Sequence, residues 1–402
     1  MNQCHLRQKM PPKVLMSGHF VYAGRVGGAE HMAYNLARGL DQAGAEVTFL
    51  CADKANLSTD FLAESVAARR SILECGGGGP RFVSEQRGCW DKRLNGDAIL
   101  FPNYFLPPLR PARLGAAAVV IHDFQYRHFP EHFSVKKRAW LRLSHILALA
   151  QAETVIMISQ FVRQDAIRLY GPAAERAIVI PNPISWDRFG REPSPHPFGG
   201  RPYVLSVAAQ YPHKGLDLLI RAFAELAAKR PEPILVLAGQ LPEQLVSVGK
   251  DSGGMRQQIA RLGLTERVRM TGYIDDRRLG DLYRHAGVFA FPSIFEGFGM
   301  PPIEALGFGV PTLTTRCSAL PETTLGLAAL ADDPRDPEEW ATRMEAMLNA
   351  PRLPAADAEA VRRHYSPKEI GRRYLQAMLG DETGSPSNPA PQSTPHLVQN
   401  NM

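Results

Sequence analysis

Cysteine is scarce in this chain of 402 residues, and none of it is arranged for a metal or a disulfide framework. The five cysteines stand at positions 4, 51, 75, 89 and 317, and no two of them form a C-x-x-C pair. This spacing excludes a zinc ribbon, a thioredoxin-like site and a disulfide-stapled scaffold. It predicts a protein of a reducing compartment.

Long apolar runs are also missing, since no stretch approaches the roughly 18 residues that a membrane-spanning helix needs. The first residues, 1–13, are polar and basic, with no apolar core before Val14. We therefore expect no signal peptide and a cytoplasmic protein. With 45% hydrophobic and 21% charged residues, the composition is that of an ordinary globular chain of two or three domains.

Acidic residues are under-represented in the first half only. Residues 1–189 contain 23 Lys/Arg against 16 Asp/Glu, whereas the remainder is nearly balanced. Such a surplus favours an anionic partner, for which anionic lipid, a phosphorylated acceptor and nucleic acid all qualify. Nucleic acid is disfavoured because no interleaved Arg–aromatic motif is present. The densest basic run, 136–147, fits equally a helix on a membrane surface and a core-packing helix with a solvated cationic face.

Short apolar runs alternate with helix-like stretches twice along the chain. The runs suit strands buried on both faces, and the alternation predicts an α/β fold of two doubly wound, Rossmann-like parallel-sheet domains facing a cleft. The predicted divisions are an N-terminal domain at 1–189, a Pro- and Gly-rich linker at 190–200, a C-terminal domain at 201–365, a last helix at 366–379 that packs back on the first domain, and a disordered tail at 380–402.

Because ligands of parallel sheets bind at the carboxyl ends of strands, residues just after strands are the candidates for function. In the first half these are Gly27 and Gly28, which open a helix, and His122, which directly follows a buried strand. The glycines predict either a phosphate site at a helix N-terminus or a tight turn. His122 predicts either a partner for a sugar hydroxyl or a cap of its strand.

In the second half, Lys214 precedes a helix N-terminus, where a cation is unfavourable unless it neutralises a bound anion. The strongest pattern runs from Glu296 to Glu304, two carboxylates eight residues apart in a Gly-rich loop that leads into a helix. A helix beginning near Pro302 would place Glu304 in its first turn, suited to the hydroxyls of a ribose. A solvated helix start explains Glu304 alone, but not the Gly-rich loop.

These segments together resemble the retaining, nucleotide-sugar-dependent glycosyltransferases of family four, which have the GT-B fold. The stretch EGFGMPPIE is similar to the E-x7-E motif of that family, and QYPHKG is similar to the segment with its diphosphate-binding lysine. The run from His122 to Glu131 resembles its acceptor-domain loop. The likeness extends from about Val14 to Leu379.

The resemblance assigns roles to individual residues. Lys214 would hold the donor diphosphate, Glu304 the ribose, and Ile274 the base through its backbone. Glu296, His122 and the backbone of the loop would surround the donor sugar, with Gly27 and Gly28 approaching the diphosphate from the other domain; the loop residues concerned are Phe298, Gly299 and Met300. The chain departs from the family at Ala209, where many members carry a second diphosphate-binding Arg.

The implied reaction is transfer of a hexose from a nucleoside-diphosphate sugar, with GDP-mannose slightly favoured over a UDP-sugar, to a hydroxyl of a polysaccharide or lipid-linked acceptor with retention of configuration. No D-x-D triplet is present, so neither a metal nor another cofactor is expected. Two alternatives stay open: a nucleotide-sugar epimerase on the same fold, and a non-catalytic nucleotide-sugar-binding subunit. A peripheral position at the inner face of the cell membrane also fits the basic first half.

Overall fold

The computed structural model describes residues 10–22, 28–68, 70–190, 194–209, 211–239 and 252–380, with side chains in the last range from residue 254 onward. Gly27 and the predicted tail beyond Gly380 lie outside these described residues. Within them, no helix is both long and apolar enough to cross a bilayer.

The N-terminal half forms a seven-stranded sheet in the order β3-β2-β1-β4-β5-β6-β7, with every neighbouring pair parallel. Its strands are β1 (Lys13–Ser17), β2 (Glu46–Cys51), β3 (Ser71–Glu74), β4 (Ala98–Phe101), β5 (Ala116–Ile121), β6 (Thr154–Met157) and β7 (Ile178–Val179). Its helices are α1 (Gly28–Gln42), α2 (Thr59–Ala67), α3 (Arg81–Gly88), α4 (Gln125–His128), α5 (Val135–Gln151) and α6 (Gln160–Tyr170).

The C-terminal half forms a six-stranded parallel sheet in the order β10-β9-β8-β11-β12-β13. Its strands are β8 (Tyr203–Val207), β9 (Ile234–Ala238), β10 (Val268–Gly272), β11 (Val288–Phe291), β12 (Thr312–Thr315) and β13 (Ala329–Ala331). Its helices are α7 (Leu216–Lys229), α8 (Ser252–Arg261), α9 (Asp276–His285), α10 (Met300–Gly307), α11 (Leu320–Thr323), α12 (Pro337–Leu348) and α13 (Ala355–His364), and α14 (Pro367–Leu379) ends the described chain.

The predicted fold class is confirmed, and the sequence pattern did not identify strands β3 and β13. β1, β4, β5 and β11 are buried nearly throughout, as expected for strands covered by helices on both faces. β3 and β13 are short strands at sheet edges, and most of their residues are exposed or only partly buried.

Helix α14 crosses back and packs against α1 of the N-terminal half. A Cβ on Gly39 would lie 2.2 Å from the carbonyl oxygen of Pro367, and one on Gly371 would lie 2.1 Å from that of Gly39. The two glycines therefore allow the backbones to touch. Ile370, Tyr374 and Met378 extend into the core of the N-terminal half.

Candidate active site

The loop between β11 and α10 is held rigidly by side chains of the following segment. The Thr315 hydroxyl donates to the carbonyl of Ser293 at 2.7 Å, and the Thr323 hydroxyl donates to that of Phe298 at 2.8 Å. The amide of Glu296 donates to Ser318 Oγ at 2.8 Å. Three hydrogen bonds thus fix the backbone on either side of the Glu296 side chain.

Lys214 and Glu296 form an ion pair at the mouth of the C-terminal half. Lys214 Nζ lies 2.5 Å from Glu296 Oε1, and the side chains are 17% and 12% exposed. The ammonium group also lies 5.6 Å from the centroid of the Phe291 ring. The two predicted donor residues are therefore together, each neutralising the other.

Residues of the N-terminal half meet this loop across the gap. A Cβ on Gly297 would lie 2.1 Å from the carbonyl oxygen of His122 and 3.2 Å from Asp123 Cβ. The Ser159 hydroxyl donates to the carbonyl of Gly297 at 2.7 Å. Only a glycine allows this approach, so the loop backbone lies directly against the strand end that carries His122.

His122 is held by a hydrogen bond within its own half. Its Nε2 lies 2.9 Å from the carbonyl oxygen of Pro102, and burial lowers its pKa, which favours the neutral imidazole. Burial raises the pKa of Asp123, with the Glu296 charge adding to the rise and Lys214 opposing it. His122 is thus a hydrogen-bonded neutral group rather than a cation in the cleft.

The space between the two halves is a pocket of about 220 Å³. It is lined by Asp123, Gln125, Tyr211, His213, Lys214, Phe295, Glu296 and Gly297. Burial and the neighbouring Lys214 lower the pKa of His213 to about 3, so the imidazole beside this pocket is neutral. The pocket therefore combines one cation, two carboxyl groups and neutral hydrogen-bonding rings.

The N-terminus of α1 faces that of α10. A Cβ on Gly28 would lie 3.9 Å from Met300 Sδ, which brings these two predicted residues together across the gap. Gly299, in the left-handed region with φ of 80°, is the N-cap of α10. Because Pro301 and Pro302 have no N–H, few amides at the start of α10 can donate to a ligand.

Glu304 does not join the pocket that contains Lys214 and Glu296. Helix α10 begins at Met300 rather than near Pro302, so Glu304 lies beyond its first turn. Its Oε1 accepts a hydrogen bond from Arg188 at 2.5 Å, and its Oε2 accepts one from the Tyr283 hydroxyl at 2.8 Å. The carboxylate is buried and already engaged on both oxygens.

Arg188 connects this buried carboxylate to the N-terminal half. Its Nη1 lies 3.2 Å from Asp276 Oδ1, which in turn lies 4.0 Å from His31 Nε2 on α1. Burial and the Arg188 charge lower the pKa of His31 to about 3. Arg188 therefore sits between two carboxylates beside the N-terminus of α1, in a position that no motif indicated.

A larger cavity of about 460 Å³ opens at the carboxyl ends of β1, β2 and β3. Asp53, Asn56, Glu74 and Tyr22 contribute to one part of its lining, and the glycines 77–79 to another. Asp53 Oδ1 and Glu74 Oε1 each accept a backbone N–H at 2.8 Å, from Ala55 and Lys54 respectively, which fixes both carboxylates.

Arg81 lies between this cavity and His122. Its guanidinium packs over the rings of Phe20 and Tyr104, at 5.3 and 5.6 Å from their centroids, and its charge lowers the pKa values of His19 and His122. Among the described residues, its buried Nη2 has no hydrogen-bond partner. An unpaired buried donor thus lies in the wall of the cavity.

The remaining predicted positions are on loops after strands. Ile274 follows β10, just before the N-cap Asp275 of α9, and packs partly against the core of the C-terminal half. Ala209 follows β8, and its carbonyl accepts the amide of Tyr211 at 2.8 Å. Sequence reasoning missed Arg188 because its contact with Glu304 joins segments 116 residues apart.

Two family models match the chain, one in each half. The model described as Glycosyltransferase Family 4 matches residues 26–188, and that described as Glycosyl transferases group 1 matches residues 190–364. Together they span both sheets and the gap between them.

Individual relatives agree with the family models. The chain is 29% identical over 265 residues to the O-antigen chain mannosyltransferase B of Escherichia coli, covering 64% of this chain and 66% of the relative. It is 30% identical to the GDP-mannose-dependent alpha-(1-6)-phosphatidylinositol monomannoside mannosyltransferase of Mycolicibacterium smegmatis, covering 51% of this chain and 55% of the relative. The matched region thus spans about half to two thirds of these curated relatives.

Solved structures support the fold. Anabaena Alr3699/HepE, solved in complex with UDP-glucose, superimposes with a TM-score of 0.66 at 20% identity, covering 91% of this chain and 98% of that one. WaaG, described as a glycosyltransferase involved in lipopolysaccharide biosynthesis, gives a TM-score of 0.64 at 17% identity, covering 92% and 100%. The arrangement of two facing parallel sheets is the GT-B fold of these neighbours.

Proposed function

The chain belongs to glycosyltransferase family 4, and from this premise we propose that it transfers a hexose from a nucleoside-diphosphate sugar to a hydroxyl of a glycan or lipid-linked acceptor. The observation that carries the proposal is the convergence in one pocket of Lys214 and Glu296 from one half with Asp123 from the other. The mannosyltransferase names among the relatives favour GDP-mannose as donor.

Lys214 is the residue suited to stabilise the leaving diphosphate. As the bond from the anomeric carbon to the phosphate oxygen breaks, negative charge grows on that oxygen, and a preorganised cation lowers the barrier. Glu296 neutralises this cation at 2.5 Å. A bound diphosphate would take over the ammonium group and release the Glu296 carboxylate toward the hydroxyls of the donor sugar.

The proposed outcome is retention of configuration. The acceptor hydroxyl would approach the anomeric carbon on the face that the diphosphate leaves, and its proton would pass to the departing phosphate oxygen. The new glycosidic bond then replaces the phosphate ester bond without a covalent enzyme intermediate. His122, neutral and fixed by Pro102, would hydrogen-bond to the sugar and not take part in this proton transfer.

Glu304 and Arg188 define the proposed ribose side of the donor site. Since both Glu304 oxygens already accept hydrogen bonds, a ribose would use their remaining lone pairs or displace the Arg188 guanidinium. Arg188 also supplies a cation in a chain that has Ala209 where the family resemblance leads us to expect an Arg. We propose that Arg188 adjusts to the nucleotide, while Lys214 carries the diphosphate.

The larger cavity of the N-terminal half fits the sugar of an acceptor. Carboxylate oxygens such as those of Asp53 and Glu74 accept hydrogen bonds from sugar hydroxyls. Arg81 lines the same cavity, and its charge acts on His122 at the proposed reaction centre. We propose no metal or other cofactor, since Lys214 and backbone amides provide the neutralising groups.

We propose that the enzyme acts in the cytoplasm. Cys51, Cys75 and Cys89 are buried, and these three and Cys317 are free thiols. Free cysteines are typical of proteins in reducing compartments.

Three results separate the proposed function from its alternatives. A thermal-shift screen of GDP- and UDP-sugars should first identify the donor through preferential binding. Incubation with that donor and glycan acceptors should then release nucleoside diphosphate and form a glycoside, whose anomeric configuration nuclear magnetic resonance should show to be that of the donor, with or without a chelator. Isomerisation of the donor sugar alone would indicate an epimerase, and donor binding without turnover a binding subunit.

A further inference from the structure

Phe295 of the C-terminal half is enclosed by aromatic rings of the N-terminal half. Its ring centroid lies 4.7 Å from that of His128, 5.4 Å from that of Phe129 and 5.8 Å from that of Phe161. These three residues, hereafter the ring cage, lie in α4, directly after α4 and in α6. Phe295 is only 7% exposed, and tilted or edge-to-face rings at such separations attract each other. The ring cage therefore holds the two halves together at Phe295.

One wall of the ring cage is fixed by a buried carboxylate. His128 Nε2 lies 2.6 Å from Asp165 Oδ2, and the Asp165 side chain is 2% exposed. A short hydrogen bond to a carboxylate away from water is strong, so it fixes the orientation of the imidazole ring. Because Asp165 belongs to α6, this helix contributes both Phe161 and the anchor of His128. The N-terminal half thus builds the ring cage from its own elements.

The start of α6 makes two further contacts with the C-terminal half. The hydroxyl of Ser159, the N-cap of α6, donates to the carbonyl of Gly297 at 2.7 Å. The amide of Phe161 donates to Glu322 Oε1 at 3.1 Å. A carboxylate at a helix N-terminus is favourable because it accepts a free amide and because the helix dipole is positive there. Phe161 is therefore held by the C-terminal half both at its ring and at its backbone.

The contacts across the gap fall on both chain neighbours of Glu296. Phe295 inserts into the ring cage, and Gly297 accepts the hydrogen bond from Ser159. Glu296, between them, pairs with Lys214 of its own half. Because the three residues are consecutive, the N-terminal half fixes the backbone on either side of the Glu296 carboxylate. Separation of the halves would release both of these points at once.

We propose that Phe295 is a positioning residue: its insertion into the ring cage places Glu296 for the reaction only while the two halves are in contact. The inference rests on the proposed function for the role of Glu296 and adds a residue that acts through its chain neighbour. Without the ring cage, the donor still binds to the C-terminal half, but Glu296 lies on a less constrained loop and the reacting groups are misplaced. Water also reaches the donor more easily in an open cleft.

The first test replaces one partner on each side of the gap in the full chain. Phe295→Ala and Phe161→Ala should each lower kcat roughly 10²-fold, because a misplacement of about 1 Å in a reacting group has an effect of this size. The KM for the donor should stay within about twofold, since the proposed donor contacts Lys214 and Glu304 are unaltered. The double variant should be no worse than either single variant, because both changes remove the same contact.

Phe161 separates positioning from direct contact with the substrate. Phe295 lines the pocket between the halves, whereas Phe161 lies outside the lining formed by the described part of the chain. If Phe295 acted only by touching the substrate, Phe161→Ala would keep full turnover, and the proposal would be wrong. Phe295→Leu, which still fills part of the ring cage, should keep more turnover than Phe295→Ala.

Phe105 provides a matched aromatic control within one half. It is also 7% exposed, and its ring contacts those of Phe82 and Trp140 in the N-terminal half. Phe105→Ala should lower the melting temperature about as much as Phe295→Ala, because a similar ring is removed from a similar depth, but it should keep kcat. An equal fall of kcat in both variants would mean that general destabilisation explains the effect, which would overturn the proposal.

Glu322 has a matched control of the same chemistry. Glu322→Ala should lower kcat about tenfold, because the bond that holds Phe161 to the C-terminal half is lost. Glu339 also accepts backbone amides, those of Asp332 and Asp333, but within its own half. Glu339→Ala should therefore keep kcat, and equal turnover of the two variants would contradict a role of the contact across the gap.

A measurement of shape tests the ring cage without turnover. Small-angle X-ray scattering should show a larger radius of gyration for Phe295→Ala and Phe161→Ala than for the unaltered chain and Phe105→Ala, because the cleft opens. Hydrolysis of the donor relative to sugar transfer should rise in the same two variants. If the unaltered chain transferred no sugar, the proposed function would fall and this proposal with it. Equal radii of gyration in the presence of normal sugar transfer by the unaltered chain would overturn this proposal alone.

Discussion

Lys214 Nζ lies 2.5 Å from Glu296 Oε1, so the proposed diphosphate cation and the proposed sugar-binding carboxylate form an ion pair with each other. Because Lys214 and Glu296 neutralise each other, both charged groups can remain largely buried until a donor binds. A diphosphate can then compete for the ammonium group, since it offers a higher density of negative charge than one carboxylate. The contact thus couples donor binding to release of Glu296.

Replacing Lys214 tests the main catalytic cation. Lys214→Met keeps much of the side-chain volume but removes the charge, and we expect turnover to fall on the order of 10²–10³-fold. Steady-state release of nucleoside diphosphate measures it. Lys92→Met, at an exposed position of the N-terminal half, should keep full activity, and an unaffected Lys214→Met enzyme would remove Lys214 from the mechanism.

Glu304→Gln tests the ribose contact. The amide keeps the shape but loses the negative charge that orders Arg188 and Tyr283, so the KM for the donor should rise about tenfold while kcat changes less. Kinetics at varied donor concentration separate the two constants. A fall in kcat alone, with donor affinity intact, would contradict a ribose-binding role.

The pair of Arg188 and Glu304 should also matter for stability. Arg188→Met leaves the buried Glu304 carboxylate without its cation and should lower the free energy of unfolding by about 3–5 kcal/mol. Adding Glu304→Gln removes the uncompensated charge, so the double variant should recover part of this loss. Urea titrations of the unaltered chain, the two single variants and the double variant measure the coupling free energy between Arg188 and Glu304. Strictly additive losses would mean that the two side chains do not stabilise each other.

Gly297→Ala tests the contact between the halves. The new Cβ would lie 2.1 Å from the carbonyl oxygen of His122, so the halves could not approach as they do here. We expect turnover to drop severely while thermal-shift experiments still detect donor binding by the C-terminal half. Gly263→Ala is the control, because its φ of +67° strains the backbone without any neighbour across the gap. Normal turnover of the Gly297→Ala enzyme would show that catalysis does not need the two halves to approach this closely.

The loss of folding stability at acidic pH should depend partly on His145. Burial lowers the pKa of this imidazole to about 4, below its ordinary value of 6.5. Between these two values the unfolded chain binds a proton that the folded protein does not, so stability falls as the pH drops from 6.5 toward 4. By pH 5 the loss should be about 2 kcal/mol.

Substitution isolates this contribution. His145→Leu should reduce the difference in unfolding free energy between pH 7.5 and pH 5 by that amount, because leucine does not titrate. Identical pH dependence of the unaltered chain and His145→Leu would mean that His145 does not contribute. Other buried imidazoles, among them His31 and His213 with pKa values of about 3, should keep the remaining sensitivity.

The sequence determined the strand–helix alternation, the two parallel sheets and the loop that carries Glu296, because these depend on short-range features: apolar runs, glycine and proline positions, and helix periodicity. It also indicated that Lys214 and Glu296 belong to one site. The edge strands β3 and β13 were not identified, since each is only three or four residues long and mostly exposed or partly buried, which is too short for a clear pattern.

Only the tertiary structure decided which charges meet. The pairing of Arg188 with Glu304 and the closeness of Gly297 to His122 both depend on how distant segments pack. Local patterns specify the face and period of an element. They contain no information on which of several cations reaches a given carboxylate, because that choice is made by burial and distance once the two halves have closed.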